Sequence, residues 1–174
     1  DILTPDSFYV GLRDLEQWAK QTEQPMDRAI LHSLIAEFYA NYAADNQWQL
    51  RQRTEIVGET PSADIREWTA NMFVEKVRTN VKEALADSLL LLKTSSLNYI
   101  PFVELGETSE YYHHDMYHLL ASRAIRALNQ IERLERGSFN GITASPVKQD
   151  ISNIYERMTD AYETAGLKEG DVLT

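Results

Sequence analysis

The chain of 174 residues is 43% hydrophobic and 25% charged, a balance that permits a packed core and argues against intrinsic disorder. A formal net charge of -10 argues against nucleic acid as a partner, because phosphate contacts need Lys and Arg gathered on one face. The absence of cysteine excludes disulfides, thiolate nucleophiles and zinc fingers, and no apolar run approaches the roughly 18 residues of a membrane span.

Thr4-Pro5-Asp6 joins a capping side chain, a proline suited to the first helical position and an acid favourable to the helix dipole, so a helix opens there. Phe8, Leu12, Leu15 and Ala19 mark its apolar face, and it ends near Gln21. Pro25 opens the second helix, whose stripe is Leu31, Ile35, Phe38 and Tyr42. GETPSA, residues 58–63, reads as a turn, and residues 64–68 as a single helical turn before Thr69 caps a third helix. Phe73, Val77, Val81, Ala84, Leu85 and Leu92 hold a helical period there for about six turns.

Between residues 94 and 112 the period fails, with Pro101 and Gly106 as breakers, which leaves an irregular segment longer than most loops. The fourth helix is expected from about Asp115 to Arg136, burying Tyr117, Leu120, Ala124, Ala127, Leu128, Ile131 and Leu134, with Gly137 as its stop. Ser145-Pro146 repeats the cap-and-proline opening, and Val147, Ile151, Ile154, Tyr155, Met158, Ala161 and Tyr162 follow at helical spacing up to a cap at Gly166. Five main helices and no strand result. The expected fold is all-α, an irregular bundle or a short solenoid with a tetratricopeptide-like tendency at its C-terminal end, residues 155–171, although no 34-residue period is present. One helical domain is expected over 1–174, with a candidate sub-boundary near 137–145. The start at Asp1 rather than methionine suggests a processed protein or an excised piece, and the domain is expected to be a fragment of a larger protein.

His113, His114 and His118 raise the question of a metal site. A helix starting slightly before Asp115 would set His114 and His118 four residues apart on one face, with Asp115 or Glu110 as a further ligand. HExxH is absent, and the histidines read first as polar side chains at a helix start, so no metal and no cofactor are expected. His32 lies at the margin of its helix stripe and reads as a satisfied boundary residue. Paired acids such as Asp14 and Glu16, or Glu132 and Glu135, fall on expected exposed faces and give no general acid and base. Arg123, Arg126, Arg133 and Arg136, interleaved with Glu132 and Glu135, read as a solvated face. Nucleophile elbows, phosphate-cradling loops and dinucleotide fingerprints are missing, and no catalytic residue is assigned. The aromatic set of Tyr39, Tyr42, Trp48, Trp68, Tyr99, Phe102, Tyr111, Tyr112 and Tyr117 reads as core and loop anchoring, or as a binding platform if several rings share one surface.

The run AILHSLIAEFYANYAADNQWQLRQRT, residues 29–54, followed by ADIREWTANMFVEKV, residues 63–77, resembles the N-terminal helical region of large alpha-2-macroglobulin-like proteins of Bacteroidetes. Its carriers are Leu34, Ala36, Glu37, Tyr42, Asn46, Trp48, Arg53, Thr54, Asp64, Ile65 and Trp68. The later run YHHDMYHLLASRAI, residues 112–125, is similar to a second block of that family through Tyr117, Leu120, Ala121, Arg123 and Ala124. At His113-His114 the family tends to have Arg-Pro, at His118 an acid and at Ser122 a histidine, so the resemblance does not support the histidine cluster. The family's bait region and cysteine-containing thioester motif are absent here.

This resemblance implies a non-catalytic structural or interaction module of a protease inhibitor of the cell envelope or periplasm. Its implied partners are other domains of the same large chain, proteases or peptides, with no membrane insertion by this segment. In that reading Asn46, Trp48, Arg53, Asp64, Trp68, Tyr117 and Arg123 are structural signature residues, and Trp48 and Trp68 pin the connection between the second and third helices. An alternative is a stand-alone helical scaffold that binds proteins or peptides. A third reading is a metal-dependent enzyme using His113, His114 and His118.

Overall fold

The computed structural model describes residues 5–54, 58, 60–100, 114–135 and 145–164. Among these the chain is helical, with five long helices: α1 (Pro5–Gln21), α2 (Pro25–Asp45), α4 (Ala70–Ala84), α6 (Met116–Ile131) and α7 (Pro146–Thr164). Two helices of six residues, α3 (Gln47–Gln52) and α5 (Ser88–Lys93), lie in the connections, together with short 3-10 turns at Ile65–Glu67, Ser96–Tyr99 and Glu132–Leu134. The expected all-α fold of about five main helices is present.

Helix α2 is the central element, with α1, α4 and α6 packed on it. Its small residues Ala29, Ser33, Ala36, Ala40 and Ala43 recur every three or four positions and are buried, so neighbouring helices approach it closely. Direction follows from residue pairs. His32 meets Asn80 while Tyr42 stacks on Phe73, so α2 and α4 are antiparallel. Arg123 meets Ser33 while Gln130 meets Asn41 at 2.9 Å, so α2 and α6 are parallel. Helix α7 packs on α6 and is tied to α4 by Arg78 and Asp150. Helices α2, α4 and α6 thus alternate in direction along the chain.

The apolar stripes read from the sequence form the core. Tyr117, Leu120, Ala124, Ala127, Leu128, Ile131 and Leu134 are all buried, as are Phe73, Val77 and Val81. Each Leu, Ile, Val or Phe among them contributes about 1.5–3 kcal/mol by leaving water. Phe38 and Tyr155, placed on inward stripes by the sequence, are exposed instead.

Two connections depart from expectation. The third helix was expected to run on to Leu92, but α4 stops at Ala84 and Asp87 starts a separate helix by accepting from the Leu90 N–H at 3.2 Å. A short acid that bonds its own downstream backbone competes with helix continuation, and here it outweighs the apolar period. The irregular segment after α5 is closed at its base. Ser96 N–H donates to His114 O at 2.6 Å and Met116 N–H donates to Thr94 O at 2.9 Å, an antiparallel bridge between Ser95 and Asp115. Residues 101–113 lie outside the described residues, as do 136–144, where Gly137 and most of the candidate sub-boundary fall, and Gly166.

Helix α7 is seated by acids that the sequence placed on a solvated face. The Glu135 carboxylate accepts from the Ser145 hydroxyl and from the Val147 N–H at 3.2 Å, and Ser145 Oγ in turn accepts from the Lys148 N–H at 3.2 Å. Glu132 pairs with Lys148 at 3.1 Å. The first turn of α7, whose N–H groups have no intrahelical partner, is satisfied in this way.

Candidate functional site

A groove of about 680 Å³ lies between α1 and α4 and is floored by α2. It exists because α1 and α4 each pack chiefly on α2. The floor carries His32 and Ile35, and a further turn along the same face Tyr39 bonds Glu16 of the α1 wall. The α1 wall presents Glu16 and Lys20, four residues apart and therefore on one face. Met72, Lys76, Thr79 and Asn80 form the α4 wall at the same kind of spacing. Gly58 and Pro61 line the rim; Gly58 has φ +80°, which a side chain would disfavour.

One end of the groove is locked by polar contacts. Tyr39 O–H donates to Glu16 Oε1 at 2.5 Å, and Lys76 Nζ lies 3.7 Å from the same oxygen. Lys76 Nζ also sits 5.8 Å from the ring centres of both Tyr39 and Trp68, a cation over two aromatic faces. Burial, and then the Glu16 hydrogen bond, raises the Tyr39 phenol well above its ordinary value, so it stays a neutral donor.

At the other end an imidazole is oriented by its neighbour. Asn80 Nδ2 donates to Lys76 O at 2.8 Å, which turns Asn80 Oδ1 toward His32 Nδ1, also at 2.8 Å. A carbonyl oxygen only accepts, so Nδ1 carries the proton. In the neutral ring Nε2 is then left as an acceptor. His32 is thus the satisfied boundary residue expected from the sequence, and it also lines the groove. Sequence reading missed Glu16 as a site residue because its partner Tyr39 lies 23 positions away.

Apart from the Trp68 ring against Lys76, the signature residues lie outside the groove. The Trp68 side chain is buried, its indole N–H donates to Ser62 O at 2.7 Å, and its own carbonyl accepts from Arg53 Nη1 at 2.5 Å. Asp64 caps the 3-10 turn by accepting from the Arg66 N–H at 2.9 Å and holds the Arg66 guanidinium through both oxygens, which keeps its carboxyl below the ordinary range. Asn46 ends α2, its side-chain amide donating to Tyr42 O at 2.9 Å. Arg123 donates to Ser33 Oγ at 3.2 Å and to Glu37, joining α6 to α2. Tyr117 is buried, and its hydroxyl has no hydrogen-bond partner among the described residues. Trp48 corrects the expectation of a packing anchor: its residue surface is 73% exposed. It stands on α3, a helix too short to be folded back onto the core by a stripe of its own, and only Leu50 of that helix is buried.

The histidine cluster is not assembled as a site among the described residues. Helix α6 starts at Met116, which leaves His114 outside it, and His113 lies outside the described residues. Asp115 is the N-cap, accepting from the His118 N–H at 2.8 Å and bonding His118 Nδ1 at 2.7 Å. Among the described residues no group of three or more His, Cys, Asp or Glu is placed to hold a metal ion, and no helix is long and apolar enough to cross a membrane. Compared with family models, curated proteins and solved structures, the chain gives no match.

Proposed function

We propose that the chain is a non-catalytic helical module that supports or docks other domains of a larger, cell-envelope protease inhibitor of the alpha-2-macroglobulin-like kind. The observation that carries this reading is the use made of the residues on which the resemblance rests. Arg53, Asp64 and Trp68 tie down the connection into α4, Asn46 ends α2, and Arg123 clamps α6 to Glu37 and Ser33. Such residues maintain a scaffold. Trp48, which belongs to the same set, is exposed, and an indole presented to solvent is the kind of side chain that anchors a protein interface.

The reading frame that encodes the chain tests the parentage: β-sandwich domains and a thioester motif downstream support it, and a frame that lacks both overturns it. Docking is tested by titrating this chain with the separately expressed remainder and following the heat. Association that Trp48→Ala weakens supports the role, and no association overturns it. A second reading, a stand-alone peptide-binding scaffold, is favoured by the groove between α1 and α4.

A further inference from the structure

The ion pair between Arg78 and Asp150 is one rung of the contact between α4 and α7, and the next rung lacks an acid. Lys82 stands one turn past Arg78 on α4, while Asn153 and Arg157 stand one and two turns past Asp150 on α7. These residues line a cleft of about 360 Å³, within the roughly 300–1,000 Å³ of sites that take small ligands. We propose that this cleft binds the carboxylate of a small organic acid between Lys82 and Arg157, with the Asn153 amide as a third donor. The site is formed by this chain alone, whatever larger protein carries it.

Charge selects an anion. Among the described residues Asp150 is the acid that lines the cleft, and Arg78 holds it at 2.6 Å. Lys82 and Arg157 make no ion pair among the described residues. Glu83 and Glu156 each follow one of these cations by one position, about 100° further round the helix, and with Asp160 they lie outside the lining. Arg78, Lys82 and Arg157 thus face only Asp150 and Glu75, the second acid bound to Arg78, and one positive charge remains. A monoanion matches it. A phosphate dianion would carry one charge too many beside the Asp150 carboxylate and the carbonyl end of α4.

Hydrogen bonding points the same way. Gln149 Nε2 donates to Asn153 Oδ1 at 3.0 Å, which engages the acceptor side of that amide and leaves its Nδ2 hydrogens to donate. Lys82 and Arg157 are donors only. The base of the cleft, Val81, Leu85 and Ile154, is apolar and buried, so its side chains add no competing acceptor. A ligand group that only accepts fits this set, and an ionised carboxylate is such a group.

Propionate titrated into the 15N-labelled full chain tests the site, at an ionic strength held constant with chloride, beside propionamide as the neutral isostere and inorganic phosphate as a dianion. Expected with propionate are saturable shifts of the Asn153 side-chain amide, the Arg157 Nε–H and the Lys82 and Leu85 backbone amides, and with propionamide none. Lys82→Gln and Arg157→Gln are each expected to weaken binding about fivefold, the scale of one exposed ion pair. Both side chains belong to exposed residues, so the variants keep the fold, as unchanged melting temperatures verify. The proposal is overturned if millimolar propionate leaves these signals unmoved, if the amides of the exposed Lys20 and Lys93 move as much, if propionamide binds equally well, or if either substitution leaves binding unchanged. Phosphate binding more tightly than propionate also overturns it, by making the ligand a dianion.

Discussion

The indole of Trp68 lies against the phenol of Tyr39 with ring centroids 5.4 Å apart and planes 17° from parallel. This stack joins the connection that enters α4 to α2 beside Glu16, to which Tyr39 donates. Phe73 completes the cluster, 5.2 Å from Trp68 and 6.4 Å from Tyr39. Trp68→Ala removes a buried ring at 5% residue exposure, strands the Ser62 carbonyl and opens a cavity. A loss of about 3–5 kcal/mol is expected in denaturant unfolding. Trp48→Ala is the matched control: its exposed ring predicts a change within about 0.5 kcal/mol. Equal effects of the two would contradict the burial described here.

Tyr117 gives a prediction of opposite sign. Its residue exposure is 1%, yet its hydroxyl has no hydrogen-bond partner among the described residues. An unsatisfied buried donor costs about 1–3 kcal/mol. Tyr117→Phe keeps the ring and removes that cost, so the variant is expected to be more stable by about 1 kcal/mol, read as a higher denaturation midpoint with an unchanged slope. A variant less stable than the parent would show that the hydroxyl is bonded.

The same two tyrosines set an alkaline limit. Burial raises both Tyr39 and Tyr117 above the ordinary phenol value of 10.0, the Glu16 hydrogen bond adding to the shift at Tyr39. A group whose folded pKa is raised contributes fully below its unfolded pKa. Above pH 10 the unfolded chain releases protons that the folded chain retains, so stability falls with rising pH, by up to about 1.4 kcal/mol per pH unit for each tyrosine. Melting temperatures between pH 8 and 11 check this. The fall should begin near pH 10 and be shallower in Tyr39→Phe and in Tyr117→Phe.

What the sequence discloses depends on range. Period and punctuation place α1, α2, α4, α6 and α7, because a helix stripe and its Pro, Asp or Thr openings are local signals. The break at Asp87 was equally local but lost to a strong apolar period that continued across it. Side chains that act across helices were harder to read. Glu16 looks like any surface acid until Tyr39 is folded against it, and Glu135 becomes a cap only once Ser145 returns to it. Trp48 shows the converse error, since a large aromatic signals burial only when its helix has a face to bury. His32 was placed correctly as a boundary residue, but its fixed tautomer depends on Asn80, 48 positions away.

Helix α7 closes the described part of the chain, and its tie to α4 tests whether it opens separately from the rest of the bundle. Arg78 Nε donates to Asp150 Oδ2 at 2.6 Å, with side chains only 17% and 14% exposed, and this ion pair ties α4 to α7. Val147 and Ile154 of α7 are buried, and Ile151 and Met158 pack partly buried against the core. A pair this shielded is costly to break from one side, because the remaining charge stays partly desolvated. Asp150→Ala leaves Arg78 with Glu75 alone, at 2.9 Å on the exposed side. The expected result is a loss of about 1–3 kcal/mol, with faster amide exchange in α7 than in α2 or α4, since the helix opens locally before the bundle does. Replacing both partners, Arg78→Met with Asp150→Leu, should recover most of the loss by substituting apolar contact for the ion pair. Uniform acceleration of exchange across all helices in Asp150→Ala would mean that α7 unfolds only together with the bundle, and the separability of α7 would fall.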